Sequence, residues 1–310
     1  MILQVLLLLL GLALIVFGAD WLVDGSSAIA RKAGISEFVI GLTIVGFGTS
    51  CPELVVSLTG ALQGNADISV GNVVGSNVFN TLLILGLTAV IAPVAVTSSN
   101  RRRDIPIALL VTFLFVAFVL TGTQITRVEG IVFLLVFAAY MFYCFKSDQG
   151  AEEVAEEKVR SLFVAILLVL AGLAGLIFGG QLFVNNATAI ARAIGVSDKF
   201  IAITLLAGGT SFPELATCIV AAAKKKDQLA LGNVLGSNVF NILLILGTSA
   251  VVTPLSTVAL TLVDLGVLLA SAALIWLWTY TGHRDRIDRW EAVLMLLLFF
   301  GYYTWLFMKL

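Results

Sequence analysis

The 310-residue sequence has few charged residues, since Asp, Glu, Lys and Arg together make up 12% of it while 60% is apolar. Soluble domains average about 25% charged and about 45–50% apolar residues. An excess of one charge is also lacking, because nineteen acids and eighteen bases give a net charge of −1. This balance excludes a basic surface for nucleic acids and the acidic tail of a disordered regulator. The composition predicts a polytopic membrane protein.

Soft metal ligands and redox-active side chains are equally scarce. The three cysteines, Cys51, Cys144 and Cys218, lie in apolar runs without CxxC spacing, so neither a disulfide framework nor a zinc site is indicated. They are interpreted as small core residues. The single histidine, His283, lies in a predicted loop. The absence of a His or thiolate stripe argues against zinc and copper.

Ten apolar runs approach the length of about 20 residues that crosses a hydrocarbon core of about 30 Å. The first begins without a basic segment before it, so we interpret it as a true first helix and not as a cleaved signal peptide. The predicted spans are residues 2–23, 37–61, 69–91, 105–121, 127–145, 161–184, 199–222, 230–252, 260–279 and 290–308.

Two motifs recur at a constant offset of 161 residues. GTSCPE at 48–53 recurs as GTSFPE at 209–214, and GNVVGSNVFNTLLILG at 71–86 recurs as GNVLGSNVFNILLILG at 232–247. Fourteen of the sixteen positions in the longer pair are identical. Leucine-rich low complexity does not place Thr, Ser, Pro, Glu, Asn and Gly in one ungapped register, so the pattern indicates an internal duplication.

Each copy contains five predicted spans, so the second copy enters the membrane from the side opposite to the first. The predicted fold is therefore all-α, with ten transmembrane helices arranged as two inverted five-helix repeats. The expected divisions are 1–145 for the first repeat, 146–160 for a cytoplasmic linker and 161–310 for the second repeat. The polar linker is expected to be a solvated connector, because it lacks the alternating acids and glycine turn of a calcium loop.

The distribution of Lys and Arg predicts the orientation in the membrane. If both termini share one side, fourteen of the eighteen bases lie on the other side. The protein is expected in the inner or plasma membrane of the cell. Both termini are expected on the extracytoplasmic side.

Glu53 and Glu214 are the two acids deepest within predicted spans, at equivalent places in the two copies. Acidic side chains inside a membrane are expensive and mark functional sites. Each follows a proline, which disrupts a helix and frees carbonyl groups that a cation can bind. On a continuous helix, the hydroxyls three and four residues earlier would share the face of the carboxylate. These hydroxyls belong to Thr49, Ser50, Thr210 and Ser211.

The next span of each half adds a second polar stripe. Asn72, Ser76 and Asn80 follow helical i, i+4, i+8 spacing, as do Asn233, Ser237 and Asn241, and nearby glycines allow close packing. Asn77 and Asn238 fit either the site or ordinary helix packing. Two buried carboxylates without a buried base need a cation or protons.

The ligand chemistry favours a hard cation. Carboxylate, hydroxyl, amide and carbonyl oxygens suit such ions, and two carboxylates neutralise one divalent ion. Calcium accepts six to eight oxygen ligands, whereas magnesium dehydrates reluctantly. Sodium could use the same oxygens, and competition between sodium and calcium would then produce exchange.

Inverted five-helix halves that carry GTSxPE and GNVxGSNxxN resemble the α-repeats of the sodium/calcium exchanger family, within the cation/calcium exchanger superfamily. The resemblance covers essentially the whole chain. It implies that Glu53 and Glu214 are the central calcium ligands and that the first and sixth helices slide to give alternating access. It also implies that the remaining ion-binding oxygens come from Gly46, Thr49, Ser50, Ser76, Asn80, Ala207, Thr210, Ser211, Ser237 and Asn241.

One position departs from part of that family. Some members, including potassium-dependent ones, carry Asp where this chain has Asn241, so the site is expected to hold two acids and not three. Potassium co-transport is therefore disfavoured. Members of the proton-coupled branch resemble one another in a GNxxE pattern. In this chain the residue equivalent to its Glu is Val74 or Gly75 in the first half and Leu235 or Gly236 in the second. Sodium coupling is expected over proton coupling.

The sequence thus predicts an antiporter that exchanges sodium for calcium, with no enzymatic activity, no cofactor and no obligate protein partner. Proton/calcium antiport through the same two carboxylates is the alternative. An intramembrane hydrolase using Ser50 or Ser211 would need a His or Lys base within the membrane, which the sequence lacks. A passive channel would not need paired carboxylates on broken helices.

Overall fold

The computed structural model describes residues 2–148, 150, 161–195, 208–283 and 285–309, and the chain is mostly helical within them. The first half contains α1 (Ile2–Ala33), α2 (Glu37–Thr49), α3 (Cys51–Leu62), α4 (Asp67–Ile91), α5 (Asn100–Thr121) and α6 (Arg127–Lys146). The second contains α7 (Leu162–Ala193), α8 (Phe212–Ala223), α9 (Asp227–Val252), α10 (Leu262–Trp278) and α11 (Arg289–Lys309).

Seven of the described helices are long and apolar enough to cross a membrane, and the bent pair α2 and α3 gives an eighth candidate. Helices α8 and α10 are apolar but shorter. They lie in the predicted spans 199–222 and 260–279, and residues 199–207 of the former lie outside the described part of the chain. The membrane-protein class agrees with the prediction, while the count of ten spans stays a prediction.

Several helices extend beyond the predicted spans. Helix α1 continues ten residues past 23, to Ala33, because its small residues pack closely on α7. Helix α5 begins at Asn100 and not at 105. Asn100 is buried there and its Oδ1 accepts hydrogen bonds from the backbone N and the hydroxyl of Thr97, at 3.0 and 2.7 Å, which fixes the start of the helix.

Helices α1 and α7 pack against each other through glycine. A Cβ atom on Gly18 would lie 2.8 Å from the carbonyl oxygen of Gly172, and one on Gly25 would lie 2.7 Å from that of Ala165. A Cβ on Gly179 would lie 2.9 Å from the carbonyl oxygen of Gly11. Such distances are too short for any side chain, so glycine is what allows the two backbones to touch.

Helices α2 and α9 also approach through glycine. Cβ atoms on Gly232 and Gly236 would collide with the carbonyl oxygens of Phe38 and Leu42. This agrees with the close packing predicted for these two glycines. The contact brings the repeated motif of α9 against α2, the helix that leads to Ser50 in the other half of the chain.

Both motif helices change to wider π-helical turns near their centres, over Phe79–Ile84 in α4 and Phe240–Leu246 in α9. Asn80 and Asn241 are the second residues of these turns. A π-helical turn leaves part of the regular hydrogen-bonding pattern open and is frequent at functional sites.

Two short antiparallel ribbons connect the halves outside the helices. β1 (Val94–Ala95) pairs with β4 (Arg286–Ile287), with Val94 opposite Ile287. β2 (Gln124–Ile125) pairs with β3 (Leu255–Ser256), with Gln124 opposite Ser256. The ribbons tie the loops after α4 and α5 to loops of the second half.

Candidate functional site

The glutamates lie in the first turns of α3 and α8. Ser50, with φ −83° and ψ 4°, separates α2 from α3, and the two helices are bent by 47°. Ser211 has nearly the same conformation before α8, with φ −91° and ψ 5°. Pro52 and Pro213 lie in the first turns of α3 and α8, where a missing backbone N–H costs nothing. The break between α2 and α3 is therefore upstream of Pro52 and not at it.

Each glutamate is bound by a serine of the other half. The Ser50 hydroxyl donates to Glu214 Oε1 at 3.0 Å, and the Ser211 hydroxyl donates to Glu53 Oε1 at 3.0 Å. The same-face interpretation, which assigned each serine to the glutamate three residues later, is wrong for these two hydroxyls. It assumed that each serine lies on a continuous helix with its glutamate, whereas Ser50 and Ser211 precede the first turns of α3 and α8 and donate to the opposite half.

The second oxygen of each carboxylate has no partner. Glu53 and Glu214 are 0% and 1% exposed, and the Oε2 atom of each is buried without a hydrogen bond in the described part of the chain. No described Lys, Arg or His forms an ion pair with either residue. Two buried carboxylates without a base are unfavourable unless a cation or protons neutralise them.

Two serines of the second polar stripe lie at the glutamates or at their serine partners. Ser237 donates to Glu214 Oε1 at 3.5 Å and also lies 3.5 Å from the carbonyl oxygen of Gly46. Ser76 Oγ lies 3.3 Å from the Oγ of Ser211, the serine that binds Glu53. The structure therefore places Ser237 in contact with a carboxylate, and Ser76 and Gly46 one contact further away.

The two threonines of the site differ. Thr49 is fully buried, and its hydroxyl lies 3.2 Å from Asn233 Oδ1 and 3.5 Å from the carbonyl oxygen of Gly46. The Thr210 hydroxyl oxygen is buried and has no hydrogen-bond partner among the described residues. Ala207, which was predicted to contribute a carbonyl, lies outside the described residues.

Asn80 and Asn241 present a further pair of unpartnered acceptors. They are 0% and 1% exposed, and the Oδ1 atom of each is buried without a hydrogen bond in the described structure. Their amide nitrogens donate to Asn238 Oδ1 and Asn77 Oδ1, at 3.3 and 2.9 Å. Asn77 and Asn238, which the sequence left between site and packing, thus connect the two halves beside the site.

Thr81 is a residue of this region that sequence reasoning missed. Its hydroxyl accepts a hydrogen bond from Asn238 Nδ2 at 2.8 Å. The repeat could have pointed to Thr81, because the pair of Thr81 and Ile242 is one of the two differences between the sixteen-residue motifs.

Two acids of α1, Asp20 and Asp24, form ion pairs away from Glu53 and Glu214. Asp20 and Asp24 both contact Lys224 Nζ, at 2.7 and 2.6 Å. Lys224 follows the last residue of α8, so these pairs tie α1 to α8.

The family model described as "Sodium/calcium exchanger protein" matches residues 3–146 and 164–308. The chain is 33% identical to the sodium/calcium exchanger MaX1 of Methanosarcina acetivorans, with 97% of this chain and 98% of the relative covered. It is 37% identical to the inner membrane protein YrbG of Escherichia coli (strain K12), over 82% of this chain and 81% of that protein.

The fold is similar to that of a solved exchanger structure. The sodium-calcium exchanger NCX_Mj, soaked with 2.5 mM Na⁺ and 0.1 mM Ca²⁺, superposes with a TM-score of 0.85 at 35% sequence identity. The superposition covers 97% of each chain.

Proposed function

Because the chain belongs to the sodium/calcium exchanger protein family, a family of membrane antiporters for calcium and other cations, we propose that it exchanges sodium for calcium by alternating access. The ions would compete for one site built on Glu53 and Glu214. The transported ions are the substrates, and the proposal includes neither a chemical step nor a cofactor.

The observation that carries this proposal is a set of buried oxygens that have no hydrogen-bond partner among the described residues. It combines one carboxylate oxygen from each half with one amide oxygen from each half, and with the Thr210 hydroxyl. Buried polar atoms in proteins are normally hydrogen-bonded, so such orphans on the motif helices call for a ligand. Acceptor oxygens without donors suit a cation. These orphans are Glu53 Oε2, Glu214 Oε2, Asn80 Oδ1, Asn241 Oδ1 and Thr210 Oγ1.

The charge of the site supports calcium as the divalent substrate. Two ionised carboxylates balance one calcium ion, and neutral oxygens can complete the six to eight ligands that calcium accepts. Sodium ions could use the same oxygens, with Ser76 and Ser237 as additional ligands. A site whose charge one calcium already balances would not hold sodium and calcium together, and this exclusion is what couples their movements.

The proposed architecture has ten membrane-spanning helices in two inverted repeats, 1–145 and 161–310, joined by the cytoplasmic segment 146–160. It is supported by the motif offset of 161 residues and by hydrogen bonds that pair equivalent residues of the two halves, such as Asn77 with Asn238. The excess of Lys and Arg in loops on one side supports extracytoplasmic termini.

Proton/calcium antiport is the second candidate, because a carboxylate can be neutralised by a proton as well as by sodium. Sodium is favoured here because the serines that contact the glutamates and the unpartnered amides of Asn80 and Asn241 offer neutral oxygens. Those oxygens are ligands for an alkali ion and would be superfluous for protonation alone.

Calcium uptake into vesicles containing the purified protein distinguishes the two candidates. A sodium gradient imposed in the presence of a protonophore is expected to drive calcium uptake, whereas a pH gradient without sodium is not. Vesicles with the Glu53→Gln variant report the passive leak of calcium into the vesicles. The Glu129→Gln variant is the matched control, because it alters a capping acid of α6 outside the site. Uptake that needs a pH gradient and ignores sodium would establish proton exchange instead.

A further inference from the structure

We infer that Asn77 and Asn238 are positioning residues, each of which orients the amide of the asparagine ligand in the opposite half; this inference rests on the proposed function. Both side chains are buried, at 1% and 9% exposure. Neither needs to touch an ion. Their role is to hold Asn241 and Asn80 so that the amide oxygens, and not the amide nitrogens, are available to the ion.

The orientation of Asn77 is fixed by a backbone group that can only accept. Asn77 Nδ2 donates to the carbonyl oxygen of Asn238 at 3.1 Å. The Oδ1 atom of Asn77 must therefore point the other way, where it accepts a hydrogen bond from Asn241 Nδ2 at 2.9 Å. Since an amide has its oxygen and nitrogen on opposite sides, this bond leaves Asn241 Oδ1 as a free acceptor.

Asn238 performs the equivalent task for Asn80 by a different contact. Asn238 Oδ1 accepts from Asn80 Nδ2 at 3.3 Å, while Asn238 Nδ2 donates to the Thr81 hydroxyl at 2.8 Å. Exact symmetry would have Asn238 donate to the carbonyl oxygen of Asn77. Thr81 provides the acceptor instead, and its repeat equivalent Ile242 cannot do so.

The hydrogen bonds from Asn241 to Asn77 and from Asn80 to Asn238, here called the relay, have a direct electrostatic consequence. An asparagine that is free to rotate could present its Nδ2, a donor, where the proposed site needs an acceptor oxygen. With the nitrogens of Asn80 and Asn241 already bound, this alternative costs two buried hydrogen bonds. The relay thus keeps the two amide oxygens, and not the amide nitrogens, available in the absence of ions, as preorganisation requires.

The relay makes a specific prediction about which pairs of residues are coupled. Asn77→Leu should raise the calcium dissociation constant about tenfold, and should have little further effect when Asn241→Ala is already present. It should add its full effect to Asn80→Ala, because Asn80 is held by Asn238. Asn238→Leu should give the reverse pattern. Double-mutant cycles of this kind isolate the pairwise contribution.

Calcium binding to the full-length purified protein, measured by isothermal titration calorimetry, provides the cycles, and thermal unfolding checks each variant. Asn186→Leu is the matched control, because Asn186 is buried in α7 and donates only to Leu182 of its own helix, at 2.7 Å. Its calcium affinity should equal that of the wild type. A merely structural role would lower the unfolding temperature and give no preference between Asn241→Ala and Asn80→Ala.

The outcomes separate this inference from the proposed function. Calcium binding by the wild type that is lost in Glu53→Gln supports the site, and unchanged affinity in Asn77→Leu and Asn238→Leu would then overturn only the relay. Additive effects within the pair of Asn77 and Asn241 would also overturn it. A wild-type protein that binds no calcium would instead contradict the proposed function.

Discussion

At the scale of single residues, each carboxylate of the site has two different oxygens. One accepts a hydrogen bond from a serine of the other half, and the second has no partner among the described residues. The serine bond fixes the direction of the carboxylate and leaves the other oxygen for the cation that we propose. Glu53 and Glu214 are therefore held in place without an ion, and the amides of Asn80 and Asn241 are held in the same manner.

The Asn241→Asp substitution should change the ion dependence of transport more than it changes expression. It adds a third acid to the site and places a carboxylate oxygen against Asn77 Oδ1, where Asn241 Nδ2 now donates at 2.9 Å. Two acceptors repel, so Asn77 must turn and lose its bond to the carbonyl oxygen of Asn238. Sodium and calcium dependence of exchange in vesicles should both shift relative to Asn186→Asp. Unchanged dependence on both ions would count against the role of Asn241.

Asp288 offers a pH-dependent test outside the membrane spans. His283 Nδ1 and Arg286 Nε both lie 2.8 Å from its carboxylate, and the backbone N of His283 donates to it at 3.0 Å. The hydrogen bond from the His283 ring is the largest cause that lowers the pKa of Asp288 from 3.8 to about 2. A depressed pKa means that the carboxylate stabilises the folded state above about pH 4, and that this contribution is lost as the pH falls towards 2.

The unfolding temperature of Asp288→Asn should therefore be below that of the wild type at pH 7, and the difference should shrink between pH 5 and pH 2. Thermal unfolding in detergent across this range measures it. Asp285→Asn, an exposed neighbour in the same loop, is the control. A difference that stays constant over the whole pH range would show that the Asp288 contacts do not depend on its charge.

At the scale of helices, the motif segments are organised by breaks and by close backbone contacts. The break at Ser50 redirects a hydroxyl to the other half, and the π-helical turns of α4 and α9 carry Asn80 and Asn241. None of these features follows from helix propensity. They depend on how α2, α4, α8 and α9 pack around one another.

The glycine contact between α1 and α7 predicts a strong effect of a single methyl group. Gly18→Ala would place Cβ 2.8 Å from the carbonyl oxygen of Gly172, and relieving such overpacking typically costs about 1–3 kcal/mol. The unfolding temperature should fall and transport should slow, because the two helices must separate. Gly266→Ala is the matched control, since it adds a methyl group on an exposed face of α10 with no atom within 4 Å. Equal effects of the two substitutions would contradict the close contact.

The ion pairs of Lys224 predict an effect on the balance between access states. Burial lowers the pKa of Lys224, but hydrogen bonds to Asp20 and Asp24 raise it overall, so the ammonium stays charged and ties α8 to α1. At the offset of 161 residues the equivalents are Gln63, Gln181 and Asn185, which are uncharged and exposed. The ionic contact therefore has no charged equivalent at these three repeat positions, and under the proposed alternating access it would favour the access state in which it is formed.

Lys224→Gln should shift the ratio of the half-saturating calcium concentrations measured at the two membrane faces. A partly exposed ion pair is worth up to about 1 kcal/mol, which corresponds to a change of roughly fivefold. Vesicles of uniform orientation allow both faces to be measured. Lys226→Gln is the control, because it removes a pair with Glu37 of α2, at 2.7 Å, and leaves α1 untouched. The same shift in both variants would contradict a specific tie between α1 and α8.

At the scale of the whole molecule, the sequence predicted where apolar helices lie, because this follows from local composition, and it predicted that Glu53 and Glu214 are buried; their role as the central ion ligands stays a prediction. It did not predict that Ser50 binds Glu214 and Ser211 binds Glu53. Those bonds join residues 164 and 158 positions apart, and their formation depends on the packing of one half on the other. The repeat assigned equivalent roles within each half, while the structure mixes the two halves in one site.

The position of the helix break is a second point on which the structure adds detail. Proline was expected to disrupt the helix, and the break between α2 and α3 lies at Ser50, while Pro52 and Pro213 themselves lie in the first turns of α3 and α8. A proline there is compatible with the helix, so the sequence marks the start of the second segment and not the break itself.

Calcium binding to the purified protein with sodium as competitor tests the central claim most directly. The wild type should bind about one calcium ion per chain, as the charge of two carboxylates implies, and added sodium should displace it. Glu53→Gln and Glu214→Gln should each lose this binding while they keep a folded, monodisperse elution profile, and Glu129→Gln should retain it. Wild-type calcium affinity in the double variant Glu53→Gln and Glu214→Gln would contradict the site proposed here.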